Sequence, residues 1–304
     1  MDASGRPAEM VVSTLHPPAA AAGAPVPATT VEALLASYDV FLLDAYGVLV
    51  SSTGPLPGAA AFLQRLAAAG KPHLVLSNDA SRLPATSARR YRAFGLPLEE
   101  SAILTSGLLL RDHFAAAGLR GARCIVLGTE DSEAYVRDAG GVVVPASDDS
   151  ARVVVVADDD GYGFLDTVNE VVTVLLRRLG RGERTELVLP NPDLVFPMAA
   201  DAFGITAGAI AALLEAVVRL RDRSGGHRFV PLGKPNRPMF EAAVRRFPGV
   251  DPRRMVMVGD QLDTDILGAS RFGIDSVLVE SGVARVGELA TGPVRPTWTL
   301  AQVE

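Results

Sequence analysis

Short runs of apolar residues alternate with longer amphipathic stretches along most of this chain. The runs VFLL (40–43), HLVL (73–76) and MVMVG (255–259) have the length of buried β-strands. Between such runs, apolar residues recur every three to four positions, as they do on the buried face of a helix. Strands that alternate with helices form a parallel sheet covered by helices, so the pattern predicts an α/β fold.

The two ends of this pattern differ in composition. Residues 1–30 include HPPAAAAGAPVPATT, which offers too little bulky apolar surface to offset the entropy lost on ordering. We therefore expect a disordered Ala/Pro-rich tail. Thr30 is a plausible N-cap for the helix in VEALLASY, where the regular pattern begins.

The middle of the chain predicts a second unit. Apolar runs at 123–127, 153–157 and 186–189 are separated by helical patterns and suffice for a small α/β domain of their own. The later strands in HRFVPL, MVMVG and DSVLV are expected to complete the first sheet. A length of 304 residues also fits two domains, since roughly 150 residues make one.

Charge and cysteine content exclude several classes of function. The formal charge is −6 and no Lys/Arg cluster occurs, so the chain lacks the basic surface that a nucleic-acid partner needs. Cys124 is the single cysteine, which excludes an intrachain disulfide and a zinc site built from several thiolates. No apolar run is long enough to span a membrane, and the start of the chain does not resemble a secretory signal. We expect a cytoplasmic protein.

Acidic residues follow two of the predicted strands. Asp44 ends the first strand, and Asp260 follows MVMVG, with Asp263 and Asp265 close behind. Ligands of open α/β sheets bind beyond the carboxyl ends of the strands, and carboxylate oxygens are ligands that Mg²⁺ prefers. The alternative for any single aspartate in such a position is a helix cap.

Polar groups suited to an anion occupy similar positions. Ser77 and Asn78 end the strand in LVLSNDA and offer a hydroxyl and an amide, although alone they would form an ordinary turn. Lys234, in PLGKPN, lies between a predicted strand and helix, where its ammonium group can neutralise a phosphoryl oxygen. A lysine in a loop is usually only a solvated charge, so the weight rests on the whole set.

Taken together, these motifs resemble those of the haloacid dehalogenase-like (HAD) hydrolases, specifically the class IIA, NagD-like phosphatases. The resemblance covers about residues 38–300 through FLLDAYGVLV, LSNDASR, LTSG, NPDLVFP, GKPNRPMF and VGDQLDTDILGA. It implies a Rossmann-like hydrolase core at 31–106 and 196–304, with an inserted α/β cap domain at 107–195. It also implies a homodimer formed through the cap.

The resemblance assigns roles to individual residues. Asp44 would be the nucleophile that forms an aspartyl-phosphate, and Lys234 would orient it. Mg²⁺ would be held by Asp44, the backbone carbonyl of Tyr46 and Asp260, supported by Asp265. The residues that would bind the substrate are those near the phosphoryl group and in the cap, namely Ser77, Asn78, Asp79 and Asn191. The implied activity is hydrolysis of a small phosphomonoester such as a sugar or nucleotide phosphate.

One position departs from the family pattern. Phosphatases of this family carry a second aspartate two residues after the nucleophile as general acid and base, whereas this chain has Tyr46. A positioned proton donor contributes roughly 10²- to 10⁴-fold in rate, so esters with poor leaving groups should react slowly.

Two alternatives remain open at this stage. Asp-Ala-Tyr-Gly is also similar to the first motif of the 2-haloacid dehalogenases, in which the aspartate displaces halide and neither a metal nor a proton donor is needed. Against that reading, the aspartates near Asp260 would repel an anionic substrate unless a cation lies among them. The second alternative is a phosphate-ligand binding protein with weakened catalysis.

Two loops are candidates for contact with the leaving group. The sequence DDDGYG at 158–163 follows the strand VVVVA, and Asn191-Pro192-Asp193 follows the next predicted strand. Most simply, 158–163 is a polar loop of the cap. The functional hypothesis is that one of these loops reaches the core site and selects the leaving group.

Overall fold

The structure is a computed structural model that describes residues 25–199, 202–222, 226–280 and 294–303. Most of the predicted disordered tail, residues 1–24, lies outside the described residues. Its last residues do not: Ala28 forms a β-bridge with Thr299, and Thr29 donates a backbone hydrogen bond to the same residue. The chain therefore joins the fold two residues before the predicted N-cap, Thr30.

Strands and helices alternate over the described residues as the apolar pattern predicts. The strands in chain order are β1 (Val40–Asp44), β2 (His73–Ser77), β3 (Ile103–Thr105), β4 (Arg123–Leu127), β5 (Val142–Val143), β6 (Val153–Val156), β7 (Glu186–Leu189), β8 (Val195–Ala199), β9 (Ala202–Ile205), β10 (Phe229–Pro231), β11 (Met255–Gly259), β12 (Asp275–Val279) and β13 (Trp298–Leu300). The helices are α1 (Val31–Ser37), α2 (Ala59–Ala68), α3 (Pro84–Ala93), α4 (Leu109–Ala116), α5 (Glu130–Asp138), α6 (Phe164–Gly180), α7 (Ala207–Val218), α8 (Arg237–Arg245) and α9 (Leu267–Phe272).

The first sheet is parallel, with strand order β13-β12-β11-β1-β2-β3 among the described residues. β1 lies between β11 and β2, and all five of its residues are buried. Successive side chains of a strand point to opposite faces, and here both faces are covered by helices. Phe41 packs with Phe62 of α2, and Leu42 belongs to the cluster that contains Phe240 of α8. Because the strands are parallel, their carboxyl ends meet at one edge.

The second sheet has the order β10-β7-β6-β4-β5 and is also parallel. β6 is four consecutive buried valines, which is typical of a strand covered on both faces. One face packs on α6 and α7 through Val171 and Leu214. The predicted α/β fold class, a core sheet with a second α/β unit, is confirmed.

Two details differ from the sequence-based expectation. The strand in HRFVPL was expected in the first sheet, but β10 pairs with β7 in the second, with Val230 opposite Val188. The predicted boundary at 195/196 thus separates two strands of one sheet. A three-residue strand carries no pattern that specifies its partner, so only tertiary packing decides it. The antiparallel hairpin of β8 and β9 was not predicted at all.

Among the described residues, no helix combines the length and apolarity that crossing a bilayer requires.

Candidate active site

The side chains of Asp44 and Lys234 meet at the carboxyl edge of the first sheet. The Lys234 Nζ donates to Asp44 Oδ1 at 2.6 Å and to Asp265 Oδ1 at 2.7 Å. All three side chains are buried: the exposed fraction is 3% for Lys234, 9% for Asp44 and 0% for Asp265. Burial lowers the pKa of Lys234, but the two carboxylates outweigh it and raise the pKa above its usual value. Lys234 is therefore a fixed positive charge.

Three carboxylates cluster beside this lysine, and two of them contact it. Asp44, Asp260 and Asp265 each offer an oxygen within 4.8 Å of the others, and all three residues are buried. Burial and the charge of Asp44 raise the pKa of Asp265, while Lys234 lowers it in part. If all three carboxylates are ionised, one ammonium leaves two negative charges uncompensated, which a divalent cation would balance. The set of buried oxygen donors therefore fits Mg²⁺.

The loop after β1 is shaped around this cluster. Gly47 adopts φ 81°, and a Cβ atom there would collide with the carboxylate of Asp260. Only glycine permits both the left-handed backbone and this close approach. The Asp265 carboxylate is further fixed by the backbone N–H of Gln261, which donates to Oδ2 at 3.3 Å.

Asn78 is buried and links three parts of the site. Its Oδ1 accepts from the Lys234 backbone N–H at 2.7 Å, and its Nδ2 donates to the Lys234 carbonyl at 3.0 Å. The same Nδ2 donates to Asp193 Oδ1 at 2.9 Å. The amide of Asn78 thus holds the loop that carries Lys234, and both of its ends are engaged there.

Ser77 and Asp79 flank Asn78 and are held differently. Ser77 is buried at the end of β2, and its Oγ accepts from the Asp79 backbone N–H at 3.2 Å, which leaves the hydroxyl proton for another acceptor. Asp79 accepts from the backbone and hydroxyl of Ser81 and forms an ion pair with Arg82 at 2.9 Å. Its carboxylate therefore organises the loop before α3.

Tyr46 is held by a residue of α3. Its hydroxyl accepts a hydrogen bond from Arg90 Nη1 at 2.7 Å, and the guanidinium carbon lies 5.5 Å from the centre of the Tyr46 ring. The other neighbour of this guanidinium is the Phe94 ring, 5.3 Å away. The phenol is thus fixed in place, with its oxygen as the acceptor towards Arg90.

The loop after β7 also reaches this edge of the sheet. Asn191 is buried, and its Oδ1 accepts from the Asp193 backbone N–H at 3.0 Å. Burial raises the pKa of Asp193, and the hydrogen bond from Asn78 opposes that shift. Through Asp193 the second unit contacts the core directly.

A cavity of about 280 Å³ unites these groups. Its floor includes Asp44, Ser77 and Lys234, and its wall includes Asp158 and Phe196 from the second unit. The full set of predicted site residues that line it is Asp44, Tyr46, Ser77, Asn78, Asp79, Asn191 and Lys234. The buried carboxylates of Asp260 and Asp265 lie close to Asp44 and complete the floor from below, whereas Asp263 is exposed.

Three residues of the cavity region were missed or underrated by sequence reasoning. Arg82 and Arg90 are two of several arginines around α3, and no spacing distinguishes them from solvated charges. Asp158 lies in the loop at 158–163, whose simplest interpretation is a polar loop of the cap, with contact to the core site as the functional hypothesis. Only the fold places these three beside Asp44 and Tyr46.

Comparison with known proteins identifies the relatives of this chain. A family model described as haloacid dehalogenase-like hydrolase matches residues 41–141, and one described as HAD-hydrolase-like matches residues 231–304. Human chronophin is 33% identical over 258 residues, which are 81% of this chain and 82% of that protein. A glycerol-3-phosphate phosphatase from Gallus gallus is 31% identical, over 86% of this chain and 85% of that one.

A solved structure extends the similarity to the fold. A HAD-superfamily protein from Cytophaga hutchinsonii, described as a possible sugar phosphatase, superposes with a TM-score of 0.80 at 29% identity. The match covers 91% of this chain and 98% of that one, so it includes both sheets.

Proposed function

The chain belongs to the haloacid dehalogenase-like hydrolases, in the class IIA branch of NagD-like phosphatases, and we propose that it hydrolyses a small phosphomonoester with Mg²⁺ through an aspartyl-phosphate on Asp44. The observation that carries this proposal is the buried contact between Asp44, Lys234 and Asp265 at the floor of the cavity. Phosphoryl transfer needs mainly in-line positioning and neutralised oxygens, and this arrangement offers both.

Asp44 acts as the nucleophile through Oδ2. Its other oxygen, Oδ1, accepts from the Ala45 backbone N–H at 2.8 Å and from Lys234. These bonds fix the plane of the carboxylate, so the remaining oxygen can attack phosphorus while the leaving oxygen departs on the opposite side. Water then attacks the aspartyl-phosphate, which releases inorganic phosphate and restores Asp44.

The buried carboxylate cluster is the proposed metal site. Asp44, the backbone carbonyl of Tyr46 and Asp260 would hold Mg²⁺, and Asp265 would support them through Lys234 and the Gln261 backbone. When bound, the cation neutralises charge on the phosphoryl oxygens. The positive φ of Gly47 lets the loop approach Asp260 closely enough for this set to form.

Ser77 and Lys234 bind the phosphoryl group in this proposal. The Ser77 hydroxyl proton is available for a phosphoryl oxygen, because the Ser77 oxygen serves only as an acceptor towards Asp79. Asn78 contributes by positioning Lys234, since its amide is engaged with that loop. Asp79 acts similarly on Arg82, and Asn191 orients Asp193.

The second sheet, from β4 to β10, is the proposed cap. It contributes Asp158 to the cavity, and the hairpin of β8 and β9 adds Val195, Phe196 and Pro197. The same hairpin exposes large apolar side chains, including Met198 at 54% and Phe203 at 64%. This apolar surface supports the expected homodimer through the cap, and sedimentation as a monomer at micromolar concentration would contradict it. A cytoplasmic location remains a prediction.

Phosphoryl transfer is favoured over halide displacement. A dehalogenase attacks carbon without a cation, yet here three buried carboxylates outnumber the single ammonium group beside them. The similarity to a glycerol-3-phosphate phosphatase and to a structure described as a possible sugar phosphatase supports the same choice.

The test is inorganic phosphate release from a panel of sugar, nucleotide, polyol and aryl phosphates, with Mg²⁺ and with EDTA. Asp44→Asn removes the nucleophile at nearly constant shape and should abolish release. Asp263→Asn is the matched control, because Asp263 is an exposed acid outside the carboxylate cluster. Equal release by the parent and Asp44→Asn would refute the proposed nucleophile. Release by neither would favour halide displacement or ligand binding.

A further inference from the structure

Hydrolysis of an alkyl phosphate requires a proton donor for the leaving group. The first motif of this chain has no second carboxyl group to fill that role. When the ester bond to phosphorus breaks, the leaving alkoxide must take up a proton, and a positioned acid speeds this step. The residue two positions after Asp44 is Tyr46, which has a phenol instead of a carboxyl group, and its hydroxyl oxygen accepts from Arg90. A donor from elsewhere in the cavity would fill the gap.

Most carboxyl groups of the cavity are unsuited to this role. Asp44 is the nucleophile, and both carboxylate oxygens of Asp79 are engaged by Ser81 and Arg82. Asp193 is partly buried, and its Oδ1 is engaged by Asn78 Nδ2 at 2.9 Å. The remaining carboxyl groups that line the cavity belong to the loop after β6, namely Asp158, Asp159 and Asp160.

Within that loop, Asp158 differs from its neighbours. Asp160 is exposed, and its Oδ1 accepts from the Gly161 backbone N–H at 2.7 Å. Asp159 is partly buried like Asp158, but its carboxylate accepts no hydrogen bond from the described residues. Asp158 follows the buried Ala157, two residues after the end of β6, and its Oδ1 accepts from the Asp160 backbone N–H at 3.1 Å. Its carboxyl group is therefore the one with a defined position beside the core.

The loop that carries Asp158 is tied to the wall of the active site. Gly161 packs so closely on Gly128 and Thr129 that a Cβ atom would not fit. Thr129 Oγ1 in turn donates to the Ser81 carbonyl at 2.6 Å. Ser81 belongs to the core loop that lines the cavity next to Asp79. This chain of contacts holds the loop against the core rather than leaving it in solvent.

We propose that Asp158 is the general acid and base of this phosphatase and takes the place of the missing second aspartate. The inference rests on the proposed function. As Asp44 Oδ2 bonds to phosphorus and the ester bond breaks, the Asp158 carboxyl group gives its proton to the leaving oxygen, which departs as an alcohol. The resulting carboxylate then takes a proton from the water that attacks the aspartyl-phosphate, so phosphate is released and Asp158 is protonated again.

The surroundings of Asp158 favour a carboxyl group that can carry a proton. Burial raises its pKa to about 6, the charges of Asp159 and Asp79 add to this, and Arg82 opposes it. Tyr162 also faces the residue, with its hydroxyl donating to the Asp158 carbonyl at 3.2 Å. A pKa near 6 leaves a useful protonated fraction near neutral pH, which an ordinary aspartate does not have.

Asp158→Asn tests the proposal on one preparation with two kinds of ester. The asparagine keeps a side-chain oxygen that can accept from the Asp160 backbone N–H, but it has no acidic group that can give or take the proton. For glycerol phosphate, which has a poor leaving group, kcat/KM should fall roughly 10²- to 10⁴-fold. For p-nitrophenyl phosphate, whose leaving group needs no proton, kcat/KM should stay near the parent value. The ratio of the two is independent of how much of the variant is folded.

Two further readouts separate catalysis from structure. In Asp158→Asn, p-nitrophenol should appear in a burst followed by a slow steady rate, since the base for aspartyl-phosphate hydrolysis is gone. In the parent, kcat/KM for glycerol phosphate should decline as pH rises through about 6, and this decline should vanish in the variant. Asp160→Asn is the matched control, because it removes an exposed carboxyl group from the same loop and should keep the parent ratio between the two esters.

An equal fall in kcat/KM for both esters, or no fall for glycerol phosphate, would overturn the role of Asp158. In that case the parent would still release phosphate in an Asp44-dependent manner, so the proposed function would stand. A parent that releases no phosphate from either ester would instead overturn the proposed function and this inference with it.

Discussion

The floor and the wall of the cavity differ in burial and in how firmly their side chains are held. On the floor, Asp44, Lys234 and Asp265 are almost completely buried and joined by hydrogen bonds of 2.6 to 2.7 Å. On the wall, Asp158 and Phe196 come from a loop and a hairpin of the second unit and are partly exposed. Charges that stabilise a transition state must be fixed in advance, whereas loops on a rigid scaffold can change with the substrate. In the proposed mechanism, the floor therefore carries the phosphoryl transfer, and the wall supplies the proton for the leaving group and the fit to it.

The largest difference between floor and wall is expected for substitution of Lys234. Lys234→Met leaves the carboxylates of Asp44 and Asp265 buried without their counter-charge, so we expect a loss of about 3–5 kcal/mol in the free energy of unfolding. Phosphate release should disappear as well. Urea denaturation and the phosphate assay measure the two effects.

Lys71 supplies the control for that experiment. It is the other lysine of the chain and lies 3.7 Å from Asp39 in a partly exposed ion pair. Lys71→Met should cost less than about 1 kcal/mol. A similar loss from both substitutions would show that burial of the floor does not set its energy.

Mg²⁺ should stabilise the floor alone. At a concentration about 100 times its dissociation constant, the cation should raise the free energy of unfolding by about 2.7 kcal/mol. Thermal denaturation with Mg²⁺ and with EDTA measures this effect. Asp260→Asn should remove it, and Asp159→Asn on the wall should not. Retention of the effect in Asp260→Asn would place the metal elsewhere.

On the wall, Asp158 should lower the free energy of unfolding by a smaller amount, and this effect should depend on pH. The pKa of Asp158 is raised to about 6 from an ordinary value of 3.8, so the folded state binds more protons than the unfolded state between these values. Stability contributed by this group is thus present at low pH and lost as pH rises through about 6. After a discount for solvent screening, Asp158→Asn should be more stable than the parent by about 1–2 kcal/mol at pH 8.

The same variant should gain nothing near pH 4, where the parent carboxyl group is also neutral. Urea denaturation at both pH values decides the matter. A gain of equal size at pH 4 and pH 8 would mean that the effect does not come from the charge of Asp158.

The smallest expected effect concerns the contact between Tyr46 and α3. Arg90→Met removes a hydrogen bond of 2.7 Å and a guanidinium stacked on the Tyr46 ring, and should cost about 1 kcal/mol. Arg89→Met is the control, because Arg89 is the preceding residue on the same helix and contacts only Thr86 at 3.4 Å among the hydrogen bonds described. If the two variants are equally stable in urea, Arg90 does not hold Tyr46 in solution.

The residues of the floor can be predicted from the sequence, because each lies at the end of an apolar run that forms a buried strand or in the loop after it. Asp44, Ser77 and Asp260 stand at the carboxyl ends of β1, β2 and β11, and parallel pairing brings those ends together. The hydrogen-bond partners of the site residues could not be predicted from the sequence. The engagement of Asn78 with Lys234 and Asp193 joins positions more than a hundred residues apart, and no local spacing encodes it.

The sequence by itself determined the alternation of strands and helices, the family and the buried set around Asp44. These depend on local periodicity and on residue types at strand ends, which are written in the order of the residues. Tertiary structure alone decided that β10 joins the second sheet, that Arg90 holds Tyr46 and that Asp158, in a loop the sequence proposed as a contact of the site, is the member that accepts from the Asp160 backbone beside the cavity. Such contacts arise from packing between distant segments, where several partners have similar propensities and only the complete fold selects one.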